Sequence, residues 1–142
     1  MEISDVKRHV RDTIDRAKRA AAERRERNDE GARDYEAFLS EIAIPLFRQI
    51  AGVLRAENHL FTVFTPAGSV RLMSDRSGDD YIELVLDTAG SRPQVVCHSS
   101  RSRGRRVVEA ESPIVEGKAV RELSEEDVLG FVLKELEPFV ER

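Results

Sequence analysis

Four arginines crowd one short segment, Arg101-Ser102-Arg103-Gly104-Arg105-Arg106, the densest positive charge in the strand-forming part of the chain. A hairpin tip there would splay Arg101, Arg103, Arg105 and Arg106 around an anion such as a phosphate, a nucleic acid or an acidic protein surface. The same pattern also suits a solvated turn whose charges keep a sheet edge soluble. Nucleic-acid binding needs many phosphate contacts, and this tip has no aromatic neighbours for stacking. The chain carries a formal charge of −4, with no Trp, two Tyr and six Phe. That balance favours the soluble turn and argues against a general nucleic-acid or anionic-membrane binder.

The other reactive side chains form no recognisable constellation. Cys97 and His98 are adjacent, and neighbouring strand residues point to opposite faces, so they cannot form a nucleophile–base pair within one strand. The expectation is a small buried cysteine and an exposed or half-buried histidine. His9 falls on a charged helix and His59 at a strand start. Asp75, Asp79 and Asp80 gather three carboxylates near one turn, without the ligand ladder of an EF-hand. Glu109 and Glu111 share a strand face but no asymmetry separates an acid from a base. Gly68, Gly78, Gly90 and Gly104 read as turn residues and belong to no phosphate-binding glycine motif. The sequence therefore assigns no catalytic residue, no metal ligand and no cofactor, and leans away from an enzyme. A single cysteine excludes an intrachain disulfide.

The elements that would position these residues follow from periodicity. The stretch 59–120 reads as a five-stranded antiparallel meander, with strands at 59–65, 69–75, 81–87, 94–100 and 105–112. Pro66-Ala67-Gly68, Arg76-Ser77-Gly78-Asp79 and Thr88-Ala89-Gly90-Ser91 supply its turns, and Gly104 closes the last hairpin. In the third strand Ile82, Leu84 and Leu86 face one way, and Tyr81, Glu83, Val85 and Asp87 the other, the mark of a sheet covered on one side. Phe61, Val63 and Val85 are read as apolar residues on the opposite, open side. Residues 114–120 read as a short edge strand or an ordered loop after Pro113.

Helices flank the meander. In 31–58, Tyr35, Phe38, Leu39, Ile42, Leu46, Phe47, Ile50, Val53 and Leu54 keep a 3.6-residue period, with a kink expected near Glu41–Ile44 because Pro45 lacks a backbone donor. In 124–141, Ser124 caps a helix whose first turn holds Glu125, Glu126 and Asp127, where negative charge suits the helix dipole. Pro138 should distort its end. Residues 1–30 form a charged helical arm, and Asn28-Asp29-Glu30-Gly31 is read as a turn ending it. The whole is one α+β domain of 142 residues: N-terminal helices, a meander covered on one face, and a C-terminal helix.

Charge is segregated along this plan. Residues 1–27 carry a net +3, 28–58 a net −3, 59–112 balance, and 113–142 carry −4. In the arm, acids interleave with Lys7, Arg8, Arg11, Arg16, Lys18, Arg19, Arg24, Arg25 and Arg27, and spacings such as Asp12–Arg16 and Asp15–Arg19 suggest internal pairing. Along the arm runs a thin apolar seam of Ile3, Val6, Val10, Ile14, Ala17 and Ala20 or Ala21, with no evident home in the core. A stripe left over once the core is assigned marks a partner surface. The leading expectation is a non-catalytic interaction module acting as a homodimer or with another protein. Two others stand beside it: a small-ligand or enzymatic pocket between sheet and helices, and anion binding through the arginine hairpin. No signal peptide is evident, and no run approaches the roughly 20 apolar residues of a membrane span. The sequence points to a soluble cytoplasmic protein that engages no membrane.

Overall fold

A computed structural model describes residues 1–141. Helix α1 runs from Ile3 to Phe38, a π-helical turn spans Leu39–Ala43, and α2 follows over Ile44–Ala56. Strands β1 (Phe61–Phe64), β2 (Ser69–Ser74), β3 (Tyr81–Asp87), β4 (Gln94–Arg103) and β5 (Arg106–Pro113) come next, then α3 (Glu125–Val140). The strands form one antiparallel sheet in the order β1-β2-β3-β4-β5. The architecture is α+β, a meander with helices on one face.

Register decides which side chains meet. Val63 pairs with Leu72, Leu72 with Ile82, Leu84 with Cys97 and Leu86 with Val95. The helix-side face therefore collects Val70, Leu72, Ile82, Leu84, Val95 and Cys97, all buried. Phe61 and Val63 belong to this face too, which corrects their placement on the open side. Phe61 is buried and stacks edge-on against Phe139 of α3, and Val63 packs on the core. The parity of β1 is set by pairing with β2, which its own sequence does not show. Val85 does lie on the open face.

The covering comes from the end of α1, from α2 and from α3. Tyr35, Phe38, Leu46, Phe47 and Ile50 meet Val128, Val132, Leu136 and Phe139 over the sheet in one cluster. Val53, expected on this face, is instead exposed at the far side of α2. The π-helical turn is the distortion that Pro45 imposes. Without an N–H, Pro45 cannot bond the carbonyl of Glu41, and the widened turn absorbs the mismatch. Asn58, with φ of 67°, ends α2 in a left-handed residue. The continuous helical run Ile3–Ala56 holds a stretch long and apolar enough, by length and composition alone, to cross a bilayer. Its large side chains between Phe38 and Ile50 are those that fill the core.

Ser124 caps α3 as expected. Its hydroxyl accepts from Asp127 N–H at 3.1 Å, and the Asp127 carboxylate accepts from Ser124 N–H at 3.0 Å. Pro138 sits inside α3 without ending it before Val140. Residues 114–119 form a loop anchored by the buried Ile114, and a 3-10 turn follows at Val120–Glu122.

The expected turn at Asn28–Gly31 is absent. Helix α1 passes straight through, because Gly31 serves packing and not chain reversal. A Cβ there would lie 2.6 Å from Cβ and Cγ of Pro93, so only glycine lets the helix approach the β3–β4 loop so closely. Arg121 clamps the same spot, bonding Glu30 and reaching Asp34 at 3.5 Å. Tyr35 adds a donor from its hydroxyl to the Gly68 carbonyl at 2.8 Å. These contacts outweigh the roughly 1 kcal/mol by which glycine disfavours a helix interior.

Gly31→Ala should therefore destabilise the protein by about 1–3 kcal/mol in urea unfolding, despite alanine's better helix propensity. The further change Pro93→Gly, which removes both opposing atoms, should cost less in that variant than in the wild type, and strict additivity of the two substitutions would contradict the contact. A second expectation concerns acid. The Lys118 ammonium, 2.6 Å from Asp127, holds that carboxyl below its usual range, and the Ser124 N–H adds to the effect. A carboxyl depressed in the folded state contributes stability that is present above its unfolded value of 3.8 and lost as pH falls through the folded one. Asp127→Asn should consequently lower stability near neutrality and flatten its decline into acid, read from urea midpoints across that range.

Candidate interaction surface on the N-terminal arm

Every residue from Met1 to Arg27 is exposed except Asp5 and Ala21, which are half-buried. At 1.5 Å per residue this part of α1 stands about 37 Å beyond the body. Ile3 is 86% exposed, and Val6, Val10 and Ile14 are exposed by 45–51%. The seam that the sequence suggests is thus bare along its length.

It is also continuous with the core. From Val10 onward, Val10, Ile14, Ala17, Ala21, Arg24, Asn28, Gly31, Tyr35 and Phe38 are spaced alternately by four and three residues, a heptad rhythm. The last three are buried against the chain's own body. One helix face therefore does two things, covering the sheet below Asn28 and standing unpartnered above it.

The charges around this face are ordered. At about 100° per residue, Lys7, Arg11, Lys18 and Arg25 border the seam on one side, and Arg16 and Arg27 on the other. Asp5, Asp12, Asp15, Glu23 and Glu26 fall toward the opposite side of the helix. The internal pairing expected from spacing is mostly not formed. Within residues 1–27 the ion pair formed is Arg8–Asp5 at 3.1 Å, and Arg16 reaches the Asp12 carbonyl and the Thr13 hydroxyl instead of a carboxylate. Exposed helix pairs of this kind are worth only a few tenths of a kcal/mol, too little to hold long side chains.

Comparison with protein families, with curated proteins and with solved structures returns no match. The surface must be judged on its own chemistry.

The remaining candidates are placed as follows. Arg101, Arg103 and Arg106 share the helix-side face of the β4–β5 hairpin, with Arg105 in its turn, and none of the four makes an ion pair among the described residues. Glu141, at the end of α3, lines a shallow hollow with Arg101 and Arg103, so the local field is mixed in sign. Cys97 is buried against the helices, and burial pushes its thiol up to about 12. His98 is on the other face, its Nε2 3.4 Å from a Glu111 carboxylate oxygen. The three aspartates do not converge. Asp75 accepts from Thr62 at 2.6 Å and Arg55 at 3.4 Å, whereas the buried Asp80 accepts from the Ser102 N–H and hydroxyl at 2.7 and 2.9 Å.

Side chains fill the space between sheet and helices, where Phe47, Leu72, Ile82, Leu84, Val70, Val128 and Val132 have essentially no exposure. One polar cluster escaped the sequence reading. On the open face Arg71 grips Glu83 through Nε and a terminal nitrogen, both at 3.2 Å, and lies 4.1 Å over the Tyr81 ring. Only the β2–β3 register, which sets Arg71 opposite Glu83, reveals it.

A buried thiol with a raised pKa should resist modification. Cys97 should react with an aromatic disulfide reagent at mildly alkaline pH about two orders of magnitude or more slower in the folded protein than in urea. Equal rates in the two states would place it at the surface.

Proposed function

We propose that this protein is a non-catalytic interaction module that assembles as a homodimer through the seam of its N-terminal arm. One observation carries the reading: the face that buries Gly31, Tyr35 and Phe38 continues outward through Ala21, Ile14, Val10, Val6 and Ile3 with nothing against it. A solvated helix of that length draws little stability from propensity alone, and packing of its apolar face is the usual source. A second copy of the same stripe provides that packing by symmetry.

The bordering charges favour a parallel pairing. Antiparallel arms would set the rows Arg11, Lys18 and Arg25 of the two copies side by side, where like charges repel. Parallel arms set Lys18 opposite the partner's Thr13 and Arg25 opposite the partner's Ala20. The side chains are small, and each gains at most about 1–2 kcal/mol on losing its remaining exposure. The dimer is therefore a moderate one.

Sedimentation of the full chain across micromolar concentrations tests this. At low micromolar concentration the wild type should sediment as a dimer, and Val10→Glu with Ile14→Glu should weaken that association at least tenfold while the cooperative unfolding of the body persists. A wild-type monomer throughout that range would overturn the reading. Orientation is separable: Ile3→Cys and Ala21→Cys should each cross-link to themselves if the arms are parallel, and only to one another if they are antiparallel.

A further inference from the structure

The two edges of the sheet are not alike. β1 is four residues long, and a side chain already meets its outer border: Arg55 donates to the Phe61 carbonyl at 3.2 Å. β5 is eight residues long and exposed from Arg106 to Ser112 on both faces, with Val107 at 47% and Val108 at 39%. The helix layer stops short of it, leaving a hollow of about 180 Å³ beside Val108, Ala110, Pro138 and Phe139.

The hairpin fixes which backbone groups are unpaired. Gly104 and Arg105 make a two-residue turn, with Gly104 at φ 65°, and Arg103 faces Arg106. The pair closing such a turn exchanges its hydrogen bonds, and the ladder then alternates. Arg106, Val108, Ala110 and Ser112 bond to β4. Val107, Glu109 and Glu111 direct their N–H and C=O groups to the open edge.

We propose that this edge pairs with β5 of a second copy, antiparallel about a two-fold axis at Val108, so that the sheet continues across the contact. Pairing outward groups over most of the strand admits axes at Val108, Glu109 or Ala110. An axis at Glu109 opposes that carboxylate to its own copy, and one at Ala110 opposes Glu109 to Glu111. The axis at Val108 opposes Val108 to Val108, Val107 to Glu109 and Arg105 to Glu111, so the charges attract in this register alone. The glutamates thus exclude the wrong registers and do not close the edge. This contact uses a different surface from the arm seam and stands or falls apart from it. Where both operate, full-length protein forms species larger than a dimer.

The test uses full-length protein carrying Val10→Glu and Ile14→Glu, so that the arm does not contribute. Sedimentation at high micromolar concentration should still show a dimer. Glu109→Pro removes an outward donor without touching the β4 ladder, and should weaken that dimer at least tenfold. Under mild oxidation Val108→Cys should cross-link to its own copy, since a non-hydrogen-bonded pair brings the residues within disulfide reach, whereas Glu109→Cys should not. Cys97, being buried, stays silent in both. A monomer in the arm-variant background, or a dimer indifferent to Glu109→Pro, overturns the proposal. Self-cross-linking at Glu109→Cys overturns the register, and does so even if the proline variant proves unable to fold.

Discussion

An antiparallel sheet with one apolar face has to be covered, and here few residues do the covering. The end of α1, the thirteen residues of α2 and one face of α3 close over Val70, Leu72, Ile82, Leu84, Val95 and Cys97. Placing those helices demands the local irregularities described above. The π-helical turn re-aims α2 around Pro45, Gly31 lets α1 settle on Pro93, and the Ser124–Asp127 capping box starts α3 at Glu125, just ahead of the apolar stripe that opens with Val128. The supply of cover also runs out. Beyond β4 the helix layer stops, so Val108 and Ala110 stay exposed on the side where Ile82, Leu84, Val95 and Cys97 are buried.

How much of this was legible depended on whether a feature is local. The alternation of Ile82, Leu84 and Leu86 marks β3 from its own residues, and Ser124 followed by acids marks the start of α3. Asn28-Asp29-Glu30-Gly31 reads as a turn for equally local reasons, and the reading fails because Pro93, more than sixty residues away, supplies the contact that makes glycine favourable in a helix. Phe61 and Val63 fail for a related reason. A four-residue strand has no reliable parity of its own, and its partner β2 decides which way it faces. Whatever required strand register was hidden, including the Arg71–Glu83–Tyr81 cluster on the open face.

The charges of the arm show a limit of spacing rules. Asp12–Arg16 and Asp15–Arg19 have the spacing of helix ion pairs, yet the side chains are too solvated to be held by an attraction of that size. What the spacing did carry was azimuth. The seam of Ile3, Val6, Val10 and Ile14 was visible as a stripe, and the structure adds that its borders are basic and that it runs on into the core. The arginine tip of the β4–β5 hairpin is better understood as an outpost at the end of an exposed strand, sharing its neighbourhood with Glu141, than as a cradle for an anion.

Because arm and body are carved from one uninterrupted helix, the segment between Ala21 and Gly31 behaves as a phase shifter. Each residue inserted or removed there would turn the arm's stripe by about 100° relative to the sheet and shift it by 1.5 Å along the axis. Only a change close to a whole heptad would restore the original bearing. The charged stretch around Arg24-Arg25-Glu26-Arg27 thus sets, by its length, the bearing of the arm's stripe on the sheet. It is a spacer whose information is its residue count.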